Sequence, residues 1–510
     1  MAYVEILDTT LRDGEQTSGV SFSSQEKLGI VQSLISDLNT DRVEIASAMV
    51  SDRELESVRG IADWASRNGC ADRLEVLGFV DGQRSADWIL ESGCRVMNLL
   101  CKGSLKHVTA QLGKTAEQHI ADIGRTVKYA TEHGLEVNVY LEDWSNGMNN
   151  SSGYVFELTD AISKMPVKRV MLSDTLGVLN PDSTMEYCRM MVERYPSMHF
   201  DFHAHNDYGL AVANVWSAVK AGVKGVHTTV NGLGERAGNA PLGSVLAVLT
   251  DQMGVTTGLV ERSLFKVSRL VELDSGIHIP HNMPVVGEFV FTQCAGIHAD
   301  GDKKDNLYYN ALLPERFGRV REYALGKNSG KANVKLNLEA IGIELDEESM
   351  RKVTDRIIEL GVKKEQVTQD DLPYIVHDVL HHEQEEQLIR ILNYSLSLSQ
   401  GLRPQATVKI EIDGREYQDA ASGDGQYDAF VRALRKIYAS LEKPFPILTN
   451  YTVSIPPGGR TDAFVQTIIT WNFNGTEFKT RGLDADQTEA AIKATIKMLN
   501  KIEQDYNHEA

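Results

Sequence analysis

The chain has 510 residues, of which 42% are hydrophobic, and its 52 basic and 71 acidic residues give a net charge of −19. That length suggests about three domains, and the acidic balance disfavours non-specific binding to nucleic acid or an anionic membrane. No run of about 18 apolar residues predicts a membrane span, and the 41 glycines and 13 prolines are too dispersed for a fibrous or long disordered segment.

MAYVEILDTTLRDGEQ enters a strand pattern at once, without the basic and apolar regions of a secretory signal. Cys70, Cys94, Cys101, Cys188 and Cys294 form no CxxC pair and read as thiols of a reduced, cytoplasmic protein. The first half then alternates short apolar runs with amphipathic helical stretches. The runs are YVEIL (3–7), RVEIA (42–46), LEVLGF (74–79), RVMNLL (95–100), EVNVYL (136–141), KRVMLS (168–173), HFDF (199–202) and GVHTTV (225–230). Between them lie stretches such as SSQEKLGIVQSLISDL, and Gly69, Gly93, Gly134 and Gly222 fall where helices need a left-handed cap. Eight strand–helix units in about 250 residues predict an α/β fold, a (β/α)8 TIM barrel. A doubly wound open sheet is the alternative, but GxGxxG is missing after the first strand.

In such a barrel the chemistry sits at the C-terminal ends of the strands. Arg12, Asp13 and Glu15 follow strand one, Glu142 and Asp143 strand five, Asp174 and Thr175 strand six, and His203 and His205 strand seven. NGLGERAGN, with Asn231, Glu235, Arg236 and Asn239, follows strand eight. In FDFHAHND the two histidines are two apart, so on a strand their imidazoles share a face. They are either metal ligands or histidines satisfied by core hydrogen bonds. The company of other polar strand ends favours the metal, with Asp13 as third ligand and Asn239 able to complete the shell. Nitrogen and oxygen donors suit Zn2+, Mn2+, Co2+ or Mg2+ and do not choose among them.

Residues 261–390 read as a helical linker and lid region after a catalytic domain at 1–260. His377, His381 and His382 lie among glutamates, as on a solvated helix face, and do not read as a second metal site. From 391 to 510 the pattern changes again. ATVKIEIDGREYQDAA has a hairpin signal at Asp413-Gly414 and precedes an amphipathic helix. A second pair of strands around Asn474-Gly475 precedes DADQTEAAIKATIKMLNKI. This α+β module reads as an internal ββα repeat, without catalytic groups, suited to dimerisation and effector binding.

LDTTLRDGEQ, HAHND, NGLGERAGN and AGIHADG (295–301) together resemble the TIM-barrel Claisen-condensing metalloenzymes that join acetyl-CoA to a 2-oxo acid: the 2-isopropylmalate, homocitrate and citramalate synthases. The resemblance covers nearly the whole chain. LGFVDG, NLLCKGS, NVYLEDWSNG and LPERFGRVREYALGK look closest to the citramalate branch, which implies pyruvate as the 2-oxo acid.

The resemblance implies a role for each position. A divalent metal on Asp13, His203, His205 and Asn239 chelates the 2-oxo acid, and Arg12 supports the developing oxyanion. Glu142 is the base for the acetyl-CoA methyl, with His298 its rival or helper. Thr175 holds the substrate carboxylate, and Glu15 braces the site. Leu77, Leu100 and Tyr140 could be core; the resemblance makes them the wall of the 2-oxo acid pocket. His298, Asp300, Asn306, Leu307 and Tyr308 are expected at acetyl-CoA, on a segment reaching a partner subunit of a homodimer. Tyr427, Asp428 and Pro456-Pro457 resemble the effector site, for isoleucine in the citramalate branch and leucine in the isopropylmalate branch. Two alternatives stay open. One is a 2-isopropylmalate or related alkylmalate synthase. The other is a metal-dependent carbon–carbon lyase or aldolase on a similar barrel, against which the appended repeat argues.

Overall fold

The computed structural model describes residues 2–303, 307–362, 367, 369, 372–380, 388–454, 465–484 and 486–509. Asn306, His381, His382 and Pro456-Pro457, and the side chain of His377, lie outside the described residues. The chain forms two compact units, residues 1–292 with 309–322, and 293–308 with 323–510.

Eight parallel strands close a barrel in the first unit: β1 (Glu5–Asp8), β2 (Arg42–Ser47), β3 (Leu74–Phe79), β4 (Val96–Lys102), β5 (Glu136–Glu142), β6 (Arg169–Asp174), β7 (His199–Ala204) and β8 (Gly225–Thr228). β1 pairs with β8, Glu5 opposite Gly225 and Asp8 opposite Thr228, which closes the ring. The helices between strands start at the caps the sequence supplies. Ser23 with Glu26, Thr115 with Gln118 and Asn180 with Ser183 form capping boxes. Gly93 takes φ +89° at a helix end, where a side chain would be strained.

Alternation along the strands splits the barrel into two environments. Outward residues such as Ile6, Val43, Val76, Leu99, Val139, Val170 and Phe202 are buried against the helices in one continuous apolar core. The inward set is polar for much of its depth, with Arg42, Glu44, Glu75, Asn98, Asn138, Asp201 and His227 all buried. A small apolar cluster of Leu7, Leu77, Tyr140 and Met171, with Leu100 against it, accompanies them. TIM-barrel interiors are ordinarily packed with branched apolar side chains; this one is largely wired by hydrogen bonds.

In the second unit, helices Lys331–Ala340, Glu347–Val362 and Leu372–Leu380 gather around Val334, Leu338, Val353 and Ile357. The C-terminal repeat has one more strand per half than the sequence pattern predicts. Strands Ile389–Ser397, Gln405–Ile412 and Arg415–Ser422 form a sheet followed by helix Gln426–Ser440. Ile447–Ser454, Val465–Phe473 and Thr476–Asp484 form the other, followed by Gln487–Glu509. The leading strands lie mostly exposed at sheet edges, so burial imposes no clean alternation on their sequence. Both hairpins turn where expected, with positive φ at Asp413-Gly414 and Asn474-Gly475.

Candidate metal centre at the mouth of the barrel

β7 carries His203 inside its last turn of ladder and His205 just beyond it, so the two side chains leave on one face. The loop after β1 brings Asp13 to them. Its Oδ2 lies 3.1 Å from His203 Nε2 and 3.6 Å from His205 Nε2. Among the described residues, these three form the one group of His, Cys, Asp or Glu side chains close enough to share a metal ion, with candidate ligand atoms within 4.8 Å of one another. Asn239 arrives from the loop after β8, which is zipped onto the end of β7. His205 and Asn239 form a bridge, Asn206 N–H donates to the Gly238 carbonyl, and Ala240 N–H donates to the Ala204 carbonyl.

Glycine makes that loop possible. A Cβ on Gly238 (φ +80°) would sit 1.9 Å from the Gly232 carbonyl oxygen, and one on Gly234 (φ +150°) 2.2 Å from Asn239 Nδ2. Only glycine leaves the Asn239 amide its place. That amide donates to the Leu233 carbonyl at 3.0 Å, which leaves Oδ1 free of donors.

Asp13 Oδ2 and Asn239 Oδ1 are buried without hydrogen-bond partners, as are the Nδ1 atoms of His203 and His205. Buried polar atoms are ordinarily satisfied, so a carboxylate oxygen beside two imidazoles, with a second unpartnered oxygen on the residue bridged to His205, fits a divalent cation. The protonation states agree. Burial works against the Asp13 charge, but the Arg12 guanidinium and the imidazoles outweigh it and hold the carboxyl far below its usual range. Burial and the neighbouring His203 depress His205 to about 4, so its ring is neutral at pH 7 and able to ligate.

Arg12 stands next to the cluster and reaches in three directions. Nε donates to Glu44 at 2.6 Å, Nη2 to the Tyr140 hydroxyl at 3.3 Å, and Nη1 lies 3.6 Å from Asp13. From there a closed circuit of hydrogen bonds runs through the barrel. Asn98 donates to Glu44 (2.8 Å) and to Glu75 (2.9 Å), and Arg42 donates to Glu75 (3.1 Å) and to Asp201 (2.5 Å). His227 Nε2 lies 3.2 Å from Asp201, and His227 Nδ1 3.0 Å from the Tyr140 hydroxyl, which returns to Arg12.

The remaining expected site residues fall in two places. Glu142 is the last residue of β5 and is paired with Lys102. Thr175 follows β6, and its hydroxyl accepts the Asp143 N–H at 2.8 Å while its carbonyl accepts from Arg236. Asp143 turns the chain there in the left-handed region, φ +61°, its carboxylate accepting from Ser104 and Asn146. Glu15 accepts from Phe22 N–H and pairs with buried Lys27, which ties the Arg12–Asp13 loop to the following helix. Leu77, Leu100 and Tyr140 face the barrel interior in the small apolar cluster.

The second unit holds the rest. His298 and Asp300 are exposed on helix Gly296–Lys303, with the His298 ring 4.3 Å from that of Tyr308. Leu307 and Tyr308 are exposed as well. Tyr427 bonds Thr495 across the two repeat helices at 2.8 Å and lies 5.4 Å, ring to ring, from Tyr451, while Asp428 pairs with Arg432.

Comparison with known proteins agrees with this architecture. The HMGL-like family model matches residues 3–271, the homocitrate synthase post-HMGL domain-like model 285–365, and the LeuA allosteric (dimerisation) domain 366–503. The chain belongs to the HMGL-like family. Among its curated relatives, a putative (R)-citramalate synthase of Methanopyrus kandleri is 35% identical over 91% of this chain and 89% of its own. The (R)-citramalate synthase of Methanocaldococcus jannaschii is 34% identical over 98% of this chain and 99% of its own. A probable 2-isopropylmalate synthase of Methanopyrus kandleri is 34% identical over 98% of each.

Proposed function

We propose that this chain is an acetyl-CoA-dependent acyltransferase that condenses acetyl-CoA with pyruvate and water to give citramalate and CoA. The observation that carries this is the buried Asp13–His203–His205–Asn239 donor set beside Arg12 at the barrel mouth. Full-length relatives bearing the citramalate synthase name support it.

A divalent ion held by those four side chains would supply a Lewis acid for the 2-oxo group. The protein's own groups account for the rest. Arg12 keeps its guanidinium fixed by Glu44 and Tyr140, so its charge is aimed before substrate arrives and is available to an oxygen that becomes anionic. Glu142 offers a carboxylate oxygen at the end of β5 to take the methyl proton of acetyl-CoA, with Lys102 fixing its position. His298 is a second candidate for that proton. Thr175 orients the substrate carboxylate from the neighbouring strand end. Release of free thiol, followed with a panel of 2-oxo acids, tests the reading: pyruvate should give the highest kcat/KM, with citramalate as product. A higher kcat/KM with 2-oxoisovalerate would favour 2-isopropylmalate formation, the second reading that one full-length relative supports.

Size at the apolar wall sets that preference. Leu77 packs with Leu7, Tyr140 and Met171, and we propose that this wall admits a methyl and excludes an isopropyl group. Leu77→Ala is expected to move the kcat/KM ratio of 2-oxobutyrate to pyruvate upward by about tenfold, the scale of a methylene-sized change in a pocket. An unchanged ratio would place specificity elsewhere.

The C-terminal repeat is proposed as a homodimerisation module that binds isoleucine, in line with its match to the LeuA allosteric domain. An effector shifts activity only through different affinity for two states, typically 5–150-fold. Isoleucine is expected to inhibit thiol release, with leucine much weaker. Tyr427→Ala should raise the inhibitory isoleucine concentration by about tenfold or more and leave turnover without effector nearly intact. Inhibition by leucine alone, or an unmoved isoleucine titration in the variant, would count against this.

A further inference from the structure

The circuit through the barrel contains a directed segment, Asp201, His227 and Tyr140, of which only Tyr140 has a role described above. All three are buried, at 0%, 1% and 2% exposure. The Tyr140 oxygen has three neighbours, with His227 Nδ1 at 3.0 Å, Arg12 Nη2 at 3.3 Å and Glu44 Oε2 at 3.4 Å. Arginine can only donate, so the hydroxyl proton is left for His227 or Glu44, and the shorter contact is to His227. Accepting at Nδ1 puts the single imidazole proton on Nε2, where Asp201 Oδ2 lies 3.2 Å away and can only accept. Asp201 is itself pinned by Arg42 at 2.5 Å. Every bond in the series then points one way: Arg12 donates to Tyr140, Tyr140 to His227, His227 to Asp201.

We infer that His227 is a positioning residue for the reaction. By holding the Tyr140 hydroxyl proton away from the barrel mouth, it presents the phenol oxygen as an acceptor to Arg12 and fixes the plane of the guanidinium. Turned the other way, the same hydroxyl would push its proton at Arg12 and free the fork to rotate. Asp201, held by Arg42, accepts the Nε2 proton and keeps this orientation without a charge on the imidazole. The inference rests on the reading of Arg12 as the group that faces the reacting carbonyl.

Two substitutions separate positioning from packing. In His227→Asn the amide oxygen falls near the Nδ1 site and can still accept from Tyr140. In His227→Gln an amide reaches toward Asp201 and the acceptor is withdrawn. Thiol release should show kcat for His227→Gln reduced by about tenfold or more, the scale of a sub-ångström misplacement of a catalytic group. KM for acetyl-CoA should be unchanged and His227→Asn should keep most of its kcat. In a Tyr140→Phe background the same two exchanges should alter kcat by less than about twofold, because the group through which His227 acts is gone. Equal losses in both backgrounds, or losses in KM alone, would overturn the inference in favour of simple packing. A second readout needs no turnover. 15N spectra of histidine-labelled protein at pH 7, assigned through His227→Asn, should give His227 as the neutral Nε2–H tautomer. An Nδ1–H or doubly protonated ring would overturn the inference even with activity intact. If no 2-oxo acid supports thiol release, the proposed reaction fails, while the tautomer still decides the direction of the hydrogen bonds.

Discussion

Asp13→Asn or His203→Ala is expected to leave a folded protein that has lost its bound divalent metal and nearly all turnover. Asp13 contributes the only carboxylate in the donor set, and its Oδ2 is the atom on which both imidazoles converge. Asparagine preserves its shape but removes the charge that Arg12 and the histidines are arranged around. A Lewis acid is worth several kcal/mol at the transition state, so at about 1.4 kcal/mol per decade roughly a thousandfold loss is expected. The measurements are metal content by mass spectrometry after gel filtration, kcat by thiol release, and circular dichroism as the folding control. Undiminished metal in a His203/His205 double variant would mean that the strand-end pair is structural.

Arg12→Lys should fold and retain metal yet lose about 10²–10³ in kcat, the typical effect of removing one donor aimed at an oxyanion. The guanidinium serves Glu44, Tyr140 and Asp13 from three different nitrogens. A single ammonium on a flexible stem cannot occupy all three directions, and it is not planar. Glu44 keeps its bonds from Thr9 and Asn98, so the barrel interior has reason to survive the exchange. Near-normal kcat in this variant would sink the oxyanion role, whereas loss of metal together with kcat would make Arg12 a support for Asp13 only.

Most of the barrel was legible because parallel strands buried on both faces leave short apolar runs in sequence, punctuated by helix caps. The run 74–79 coincides with β3, while the first begins at Glu5 and not Tyr3, because Tyr3 pairs with Thr256 outside the main sheet. Period two put His203 and His205 on one face, and only the polar residues at the other strand ends favoured a metal over core hydrogen bonds. The polar interior was not read, although its signal is in the runs: Glu44 in RVEIA, Glu75 in LEVLGF, Asn98 in RVMNLL, Asn138 in EVNVYL and Asp201 in HFDF are each flanked by apolar residues, and His227 in GVHTTV lies between Val226 and Thr228. One such residue looks like a tolerated defect. Only closure of the sheet, which joins positions up to 159 residues apart as in Arg42 and Asp201, turns them into one network. Asn239 was legible by motif, but the reason for its neighbours Gly234 and Gly238 lies in ångström-scale clearances that spacing does not carry.

The hydrogen-bonded circuit inside the barrel also governs how this sequence can drift. Each member answers to two others, so a lone substitution leaves a buried charge or acceptor stranded, at about 3–5 kcal/mol for a broken buried pair. Domain stabilities are only about 5–15 kcal/mol, so one such event uses up much of the margin. Lineages should therefore cross this region by coupled replacements, Arg42 with Glu75 or Asp201, and a library randomised one codon at a time should recover few survivors there. In the pocket proposed above, change toward larger 2-oxo acids is open at Leu77, Leu100 and Met171, whose apolar contacts can shrink one by one, and closed at the charged positions beside them.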